Sequence, residues 1–265
     1  AGVPTTFNLT TGKDYDWVAP RIGAIWQNDA GAQVYANLTR SVEPPNFGSL
    51  SPTAGGFQPL QPQEAWTGEI GTRGRAANLV WDVAFYRAQL ENELLNYVVN
   101  PSQGIPAATF NADETTHQGI EAGLDWEILD GLRLRQTYMW SDFRFEGDVQ
   151  YGDNRLPVVP EHFYRAELGY QNDAGFWVAP SLEWSINDAY VDYMNTLKSP
   201  SYSIFNLGLG REFDDGVTLF LDVRNLTDEN YVSNFTAVTN AQTAATTVFF
   251  PGDARSFYAG ITLTF

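Results

Sequence analysis

The stretch IEAGLDWEI, residues 120–128, alternates between apolar residues and polar or small residues. Leu124 and Trp126 fall on one side of an extended chain, and Glu121 and Asp125 fall on the other, because successive strand side chains point to opposite faces. A helix, with its period of about 3.6 residues, would scatter these side chains around its circumference. The stretch therefore predicts a β-strand with one apolar face and one polar face.

The same period of two recurs along most of the chain. Apolar residues hold every second position in four further segments, which are residues 79–86, 176–184, 217–224 and 256–265. We count about eleven strands of this kind, most of them near the roughly 9–11 residues that a tilted strand needs to cross a bilayer.

The connections between the strands fall into two classes that alternate along the chain. Short connections carry Asn, Asp and Gly, which tolerate the positive φ of tight hairpins, and lie near residues 28–31, 73–78, 130–131, 172–175 and 214–216. Long connections are rich in Pro, Gly, Asn and Ser and lie near residues 43–63, 97–115, 146–161, 185–201 and 227–255. Membrane barrels have short periplasmic turns and long external loops. The pattern thus predicts an all-β, antiparallel transmembrane β-barrel.

Composition excludes several other classes of protein. The 265 residues include no cysteine, so the chain can form neither a disulfide framework nor a thiolate metal site. A net charge of −17 argues against nucleic-acid binding, which needs clustered Lys and Arg. No stretch approaches the roughly 20 consecutive apolar residues of a transmembrane helix, whereas barrel strands dilute their apolar content by alternation.

The last strand carries an aromatic pattern of its own. Phe257, Ile261, Leu263 and Phe265 share the apolar face, and the sequence ends on Phe265. This pattern resembles the signal that the barrel-assembly machinery of the outer membrane recognises. The alternative is an ordinary amphipathic edge strand, which would leave an apolar edge exposed.

Five segments are similar, in order, to motifs of one protein family. They are RSVEPPNFGSL (residues 40–50), PLQPQE with EIGTRG (within residues 59–74), THQGIE (residues 116–121), LDVRNLTDENY (residues 221–231) and FPGDARSFY (residues 250–258). Together they resemble the C-terminal barrel of TonB-dependent receptors. Within the family, the segment Glu43, Pro44 and Pro45 with the Gly-rich loop after it favours a resemblance to the ferric-citrate-receptor-like branch.

The resemblance implies a receptor in the bacterial cell outer membrane for TonB-dependent uptake of an iron chelate of the siderophore type, or of a similarly scarce nutrient. Such receptors pair a 22-stranded barrel with an N-terminal plug and a TonB-binding segment. Residues 1–265 are then expected to be the C-terminal part of the barrel, without the plug, the TonB box or the first half of the barrel. The expected partners are outer-membrane lipid, the absent barrel half and plug, TonB through the absent region, the barrel-assembly machinery and the chelate. No cofactor and no nucleic acid are expected.

Charged residues on the polar faces of the strands are candidates for the lumen wall and for contacts with a plug. They are Glu69, Glu121, Asp125, Arg133, Arg135, Arg165, Glu167, Asp222 and Arg224. Mixed charges of this kind could also act as a general acid and base. No nucleophile-elbow pattern accompanies them, so we favour a hydrated wall and expect no enzyme activity.

Aromatic residues in or beside the long loops are candidates for a ligand site, because the family uses such residues to contact its ligands. They are Phe47, Phe57, Tyr97, Tyr190, Tyr193 and Phe235; ordinary loop packing is the alternative for each. The only histidines, His117 and His162, are too few for a His-rich metal site, so no metal ligand is assigned.

Two further functions compete with gated uptake. A passive porin or structural barrel would need no TonB, and a plug encoded upstream would decide against it. A secreted soluble all-β binding protein or hydrolase would leave the alternation of short and long connections unexplained.

Overall fold

The computed structural model describes residues 14–46, 60–98, 108–214, 216–243 and 249–264. In these ranges the chain forms one large sheet, and none of them contains a helix that could cross a membrane. The strands of the large sheet are β1 (Arg21–Gln27), β2 (Gln33–Glu43), β3 (Gln63–Ala76), β4 (Leu79–Tyr97), β5 (Ala108–Leu129), β6 (Leu132–Phe145), β7 (His162–Gln171), β8 (Phe176–Ser185), β11 (Tyr202–Glu212), β12 (Val217–Arg224) and β15 (Ser256–Leu263). Two small hairpins are formed by β9 (Ala189–Tyr190) with β10 (Lys198–Ser199) and by β13 (Val232–Phe235) with β14 (Phe249–Pro251).

The large sheet is an antiparallel meander. Its eleven strands follow the order β1-β2-β3-β4-β5-β6-β7-β8-β11-β12-β15, so each pairs with its neighbour in the chain once the small hairpins are set aside. Within the described residues, β1 and β15 each pair with one strand only and form the two edges. The predicted all-β antiparallel fold is confirmed.

The two faces of the sheet differ in chemistry, as the alternation predicts. Asp125 pairs with Arg135 across β5 and β6, while the next pair, Leu124 with Gln136, points to the other face. Large apolar side chains on that second face remain open to solvent, among them Ile70 at 55% and Ile261 at 67% exposure. A soluble monomer rarely exposes a contiguous apolar surface of this kind, so this face is suited to a bilayer.

The short connections are tight turns, and the strands that flank the long connections enter and leave these connections at the opposite end of the sheet. Gly175 has φ +77°, and a Cβ there would lie 2.1 Å from the carbonyl oxygen of Glu212. Only glycine fits such a turn. We refer to the two ends of the sheet as the turn end and the loop end.

Two boundaries were predicted wrongly, the smaller error being that residues 73–76 were assigned to a turn but form the end of β3. Residues 108–115 were assigned to a long loop, but they form the first part of β5 and continue its pairing with β4. This segment is rich in Asn, Asp and Thr, which the sequence favours in loops. Backbone pairing, from Glu91 with Glu114 to Tyr97 with Ala108, overrides that preference.

Candidate functional site

The polar face carries a row of ion pairs between neighbouring strands. The register of the strands produces this row, because an arginine on one strand stands opposite or diagonal to a carboxylate on the next strand. The pairs are Arg133–Asp125 at 2.5 Å, Arg135–Glu167 at 2.5 Å and Arg165–Glu183 at 2.7 Å. Exposed ion pairs contribute only about 0–1 kcal/mol each to the free energy of unfolding. Their main effect is therefore a charged, hydrated wall rather than stability.

All predicted lumen residues lie on this polar face. Glu69 and Glu121 lie on β3 and β5, at positions in register with the row of ion pairs. On β12, Arg224 donates to Asp222 at 3.0 Å and stacks over the Tyr258 ring at 4.7 Å. The structure thus brings the set onto one surface, and its assignment to a lumen stays a prediction.

Further toward the loop end, the same face becomes aromatic and less charged. Tyr35, Tyr86, Met139 and Phe163 line a concave region of about 830 Å³. A Cβ at Gly119 would lie 2.6 Å from the Tyr86 hydroxyl, so the missing side chain lets this ring lie against the neighbouring strand.

At the loop end, an apolar cluster packs beneath the connections. Phe145, Tyr151, Leu156 and Tyr193 are buried together, and Phe110 meets the Tyr193 ring edge-on at 5.3 Å. Tyr97 packs against the same cluster and lies 5.9 Å from Phe110, measured between ring centroids.

Tyr193 was predicted to line a ligand site, but the structure places it inside this cluster. Its side chain is 3% exposed, and its hydroxyl donates to the carbonyl oxygen of Asn96 at 2.9 Å. Burial raises the pKa of the Tyr193 phenol, and the charge of Glu93 adds to this shift. Tyr193 therefore positions the loops.

Hydrogen bonds join the long connections into one unit. Buried Asp192 accepts from the backbone amides of Thr196, Leu197 and Ala241 at 2.8, 3.0 and 3.1 Å, and from the Thr196 hydroxyl at 2.6 Å. Further bonds, each of 2.9 Å, run from Asn195 to Arg155, from Asn154 to Tyr193 and from Val98 to Ala237. We call residues 146–161, 186–201 and 225–243 the loop cap.

Tyr190 lines a pocket in the loop cap. This cavity of about 350 Å³ is bounded by Arg155, Glu161, Asp188, Tyr190 and Lys198, among others, and its wall is mainly polar. The Lys198 ammonium lies 4.7 Å from the centre of the Tyr190 ring. Sequence reasoning missed Arg155 and Lys198, although Lys198 is one of only two lysines in the chain.

Among the described residues, the other aromatic candidates do not line this pocket. Phe235 lies in the β13–β14 hairpin, where its ring packs 6.1 Å from Phe249. Phe47 and Phe57 lie outside the described residues.

Both histidines have partners. The ring of His117 stacks on Phe143 at 4.1 Å, and its Nε2 lies 3.2 Å from a carboxylate oxygen of Glu93. The Nδ1 of His162 lies 2.8 Å from the Tyr138 hydroxyl. In the part of the chain that the structure describes, no group of three or more His, Asp or Glu residues is placed to hold a metal ion.

The predicted assembly signal lies on the edge strand β15. Phe257, Ile261 and Leu263 occupy its apolar face and are exposed. Phe265 lies outside the described residues, so the signal stays a prediction.

A sheet that is apolar on one face and charged on the other, with its long connections at one end, defines the wall of a transmembrane β-barrel. Residues 2–226 match the family model described as "TonB dependent receptor-like, beta-barrel". The chain therefore belongs to the family of TonB-dependent receptors. These are transport receptors of the bacterial outer membrane, which confirms the predicted recognition and localisation.

Individual relatives agree with this assignment. The ferrioxamine B receptor of Salmonella typhimurium is 23% identical over 229 residues, which are 83% of this chain and 31% of that protein. The structure of the ferric yersiniabactin uptake receptor FyuA from Yersinia pestis has a TM-score of 0.73 and 20% identity, covering 91% of this chain and 36% of that one. The chain thus spans about a third of the length of its relatives.

The unliganded ferric citrate transporter FecA is also a structural neighbour. Its TM-score is 0.73, with 17% identity over 92% of this chain and 38% of that chain. Likeness at this level of identity shows the fold alone, so the lean toward the ferric-citrate branch stays a prediction.

Proposed function

We propose that residues 1–265 are the C-terminal part of the barrel of a receptor for TonB-dependent uptake of an iron chelate. The observation that carries this proposal is the two-faced sheet whose long connections all lie at one end, in a chain that matches the family's barrel. The loop end then faces outside and the turn end faces the periplasm. The charged row on the polar face lines the lumen and meets a plug, and TonB is contacted by a segment outside these residues.

The pocket beside Tyr190 is the proposed external ligand site. Within the described residues, Arg155 pairs with Glu161 at 2.6 Å and also with Asp142, whereas Lys198 has no carboxylate partner. An unpaired ammonium beside an aromatic ring in a mainly polar pocket suits an anionic chelate with flat ligand groups. The names of several relatives refer to siderophores or iron chelates, which supports this class of ligand.

The test uses the full-length receptor in a bacterium that lacks other iron receptors. We expect saturable uptake of radioactive iron from one chelate of a panel, and loss of this uptake in a strain without TonB. Lys198→Gln should raise the half-saturating concentration about tenfold, since a charge-assisted contact is lost, and Lys198→Arg should raise it less. Uptake that persists without TonB would identify a passive barrel instead.

A further inference from the structure

Three strands carry polar residues on the apolar face where its apolar band ends. Phe85, Ile120 and Trp140 belong to this band on β4, β5 and β6. Two residues further toward the loop end, Arg87, Gln118 and Asp142 occupy one hydrogen-bonded row on the same face. The row therefore lies at the border of the apolar surface, on the side away from the proposed lumen.

These residues belong to a connected group, which we call the arginine cluster. Arg87 donates to Gln118 at 3.3 Å, and Gln118 donates to Asp142 at 3.2 Å. Asp142 also pairs with Arg144 at 2.7 Å and with Arg155 at 3.0 Å. The arginine cluster thus consists of Arg87, Gln118, Asp142, Arg144 and Arg155.

The charge of the arginine cluster contrasts with that of the whole chain. The chain has a net charge of −17 and only 15 basic residues, yet three guanidinium groups are connected here. Arg144 and Arg155 pair with Asp142, Arg155 also pairs with Glu161, and Arg87 is joined to Asp142 through Gln118. Arg144 and Arg155 are direct neighbours in a β-bridge, and like charges in such positions repel. Asp142 pairs with both guanidinium groups and relieves part of this repulsion, and a second anion that contacts Arg144 would relieve more of it.

The arginine cluster retains free donors that point to such an anion. The Arg144 side chain is 41% exposed, and only its Nε is used, toward Asp142; among the described residues its terminal nitrogens have no acceptor. Arg155 is 21% exposed and is held by two carboxylates, so its position is fixed. A guanidinium presents a planar fork of donors that matches a phosphate group.

We propose that the arginine cluster binds a phosphate group in the headgroup of a glycolipid of the outer membrane leaflet. This inference rests on the proposed orientation, in which the loop end faces outside. A phosphorylated solute in the lumen would meet the opposite face of the sheet, whereas a lipid packed against Ile120 and Trp140 would bring its headgroup to this level. Glu91 and Glu114 face each other beyond the row, and their negative charges confine an anion site to the arginine cluster.

The test measures lipid retention by the full-length receptor. Wild-type protein and variants are placed in phosphatidylcholine nanodiscs doped with bisphosphorylated lipid A, transferred to detergent and examined by native mass spectrometry. We expect wild-type receptor to retain the lipid, and Arg144→Gln to retain it about tenfold more weakly, because phosphate contacts are lost. Arg87→Gln, which removes a guanidinium that bonds only Gln118 among the described residues, should weaken retention as well.

Arg211→Gln is the matched control. Arg211 lies on the same apolar face at the turn end, where it stacks on Phe176 and Phe213 at 4.4 and 4.5 Å. Arg211→Gln removes the same charge as Arg144→Gln and should leave retention of the lipid unchanged. Equal retention by Arg144→Gln, Arg87→Gln and wild type would overturn the proposal, as would equal retention of a dephosphorylated lipid.

Two further measurements separate the alternatives. Displacement of the lipid by inorganic phosphate would identify a general phosphate site and overturn the assignment to a headgroup; we expect none. Chelate uptake by Arg144→Gln should equal that of wild type, so a failure of the proposed uptake function would leave the lipid result intact.

Discussion

Single side chains join parts of the loop cap that are far apart in sequence. Asp192 connects its own loop to Ala241, and the Tyr193 hydroxyl reaches Asn96. The Asp192 carboxylate accepts from the Ala241 amide and the Tyr193 hydroxyl donates to the Asn96 carbonyl oxygen, so each buried side chain satisfies a backbone group of another segment. The loop cap is therefore held by a small number of polar contacts above an aromatic cluster.

Asp192→Ala should open the loop cap locally. The substitution removes the acceptor of four hydrogen bonds, so the backbone amides of Thr196, Leu197 and Ala241 lose their acceptor. The expected cost is about 3–5 kcal/mol, since each bond to a charged group contributes roughly 1.5–3 kcal/mol and the losses are partly shared. Hydrogen exchange of these amides in the full-length receptor measures the effect.

Asp188→Ala is the control for this prediction. Asp188 lies in the same loop and accepts one hydrogen bond, from the exposed amide of Ser201 at 2.8 Å. Its removal should leave exchange at Thr196 and Ala241 unchanged. Equal acceleration by both substitutions would mean that Asp192 does not join the loops.

Sequence patterns could not reveal these residue contacts. Tyr190 lines a pocket and its role in ligand binding stays a prediction, whereas Tyr193, three residues along the same loop, is buried by Phe110 and Phe145. Burial of a loop aromatic depends on segments distant in sequence, and no local period encodes it. An alternating strand, by contrast, records its two environments in its own residues.

At the scale of the strand, register determines which face each residue joins. Leu221 stands beside Leu209 and Ala259, on the face that also carries Leu219 and Ile261. Asp222 stands on the other face beside Gly208 and Tyr258. The division between two faces that alternation predicts is thus present on β12, and a shift by one residue would exchange the two faces.

Leu221→Arg should destabilise the membrane-inserted receptor by about 2–4 kcal/mol, because an arginine on the lipid face near the middle of a barrel strand is strongly disfavoured. Asp222→Asn should cost much less, since the partner of Asp222 in the described part of the chain is the exposed Arg224. Refolding titrations of full-length protein in lipid give both free energies of unfolding. The opposite ranking would show that the lipid face was assigned wrongly.

Loop length predicts which end of the strands faces outside. Val149 lies in the β6–β7 connection and is 98% exposed, and Ala174 lies exposed in the β7–β8 turn. Val149→Cys on intact cells should react with an impermeant maleimide, whereas Ala174→Cys should react only after the outer membrane is permeabilised. Neither position carries the positive φ of Gly131, where a side chain would be strained. Equal labelling of intact cells at both positions would contradict the orientation.

At the scale of the whole molecule, the sheet is open within the described residues. β1 and β15 form its edges, and both run from the loop end to the turn end. If they met, their pairing would be parallel, whereas every other pair of the large sheet is antiparallel. Bacterial barrels of this kind have even strand numbers, which avoids such a junction.

We therefore predict that the 265-residue chain alone does not form a stable barrel in a membrane. Unpaired backbone groups at the two edges would each cost several kcal/mol in hydrocarbon, so an open sheet cannot persist there. The charged row from Asp125 to Glu183 also suits a wide hydrated interior better than the packed interior of a small barrel. Expression of these residues alone should yield aggregated or proteolysed material, while the full-length protein should give a protease-resistant band that shifts on heating. A heat-modifiable, membrane-inserted band from the 265 residues alone would refute this prediction.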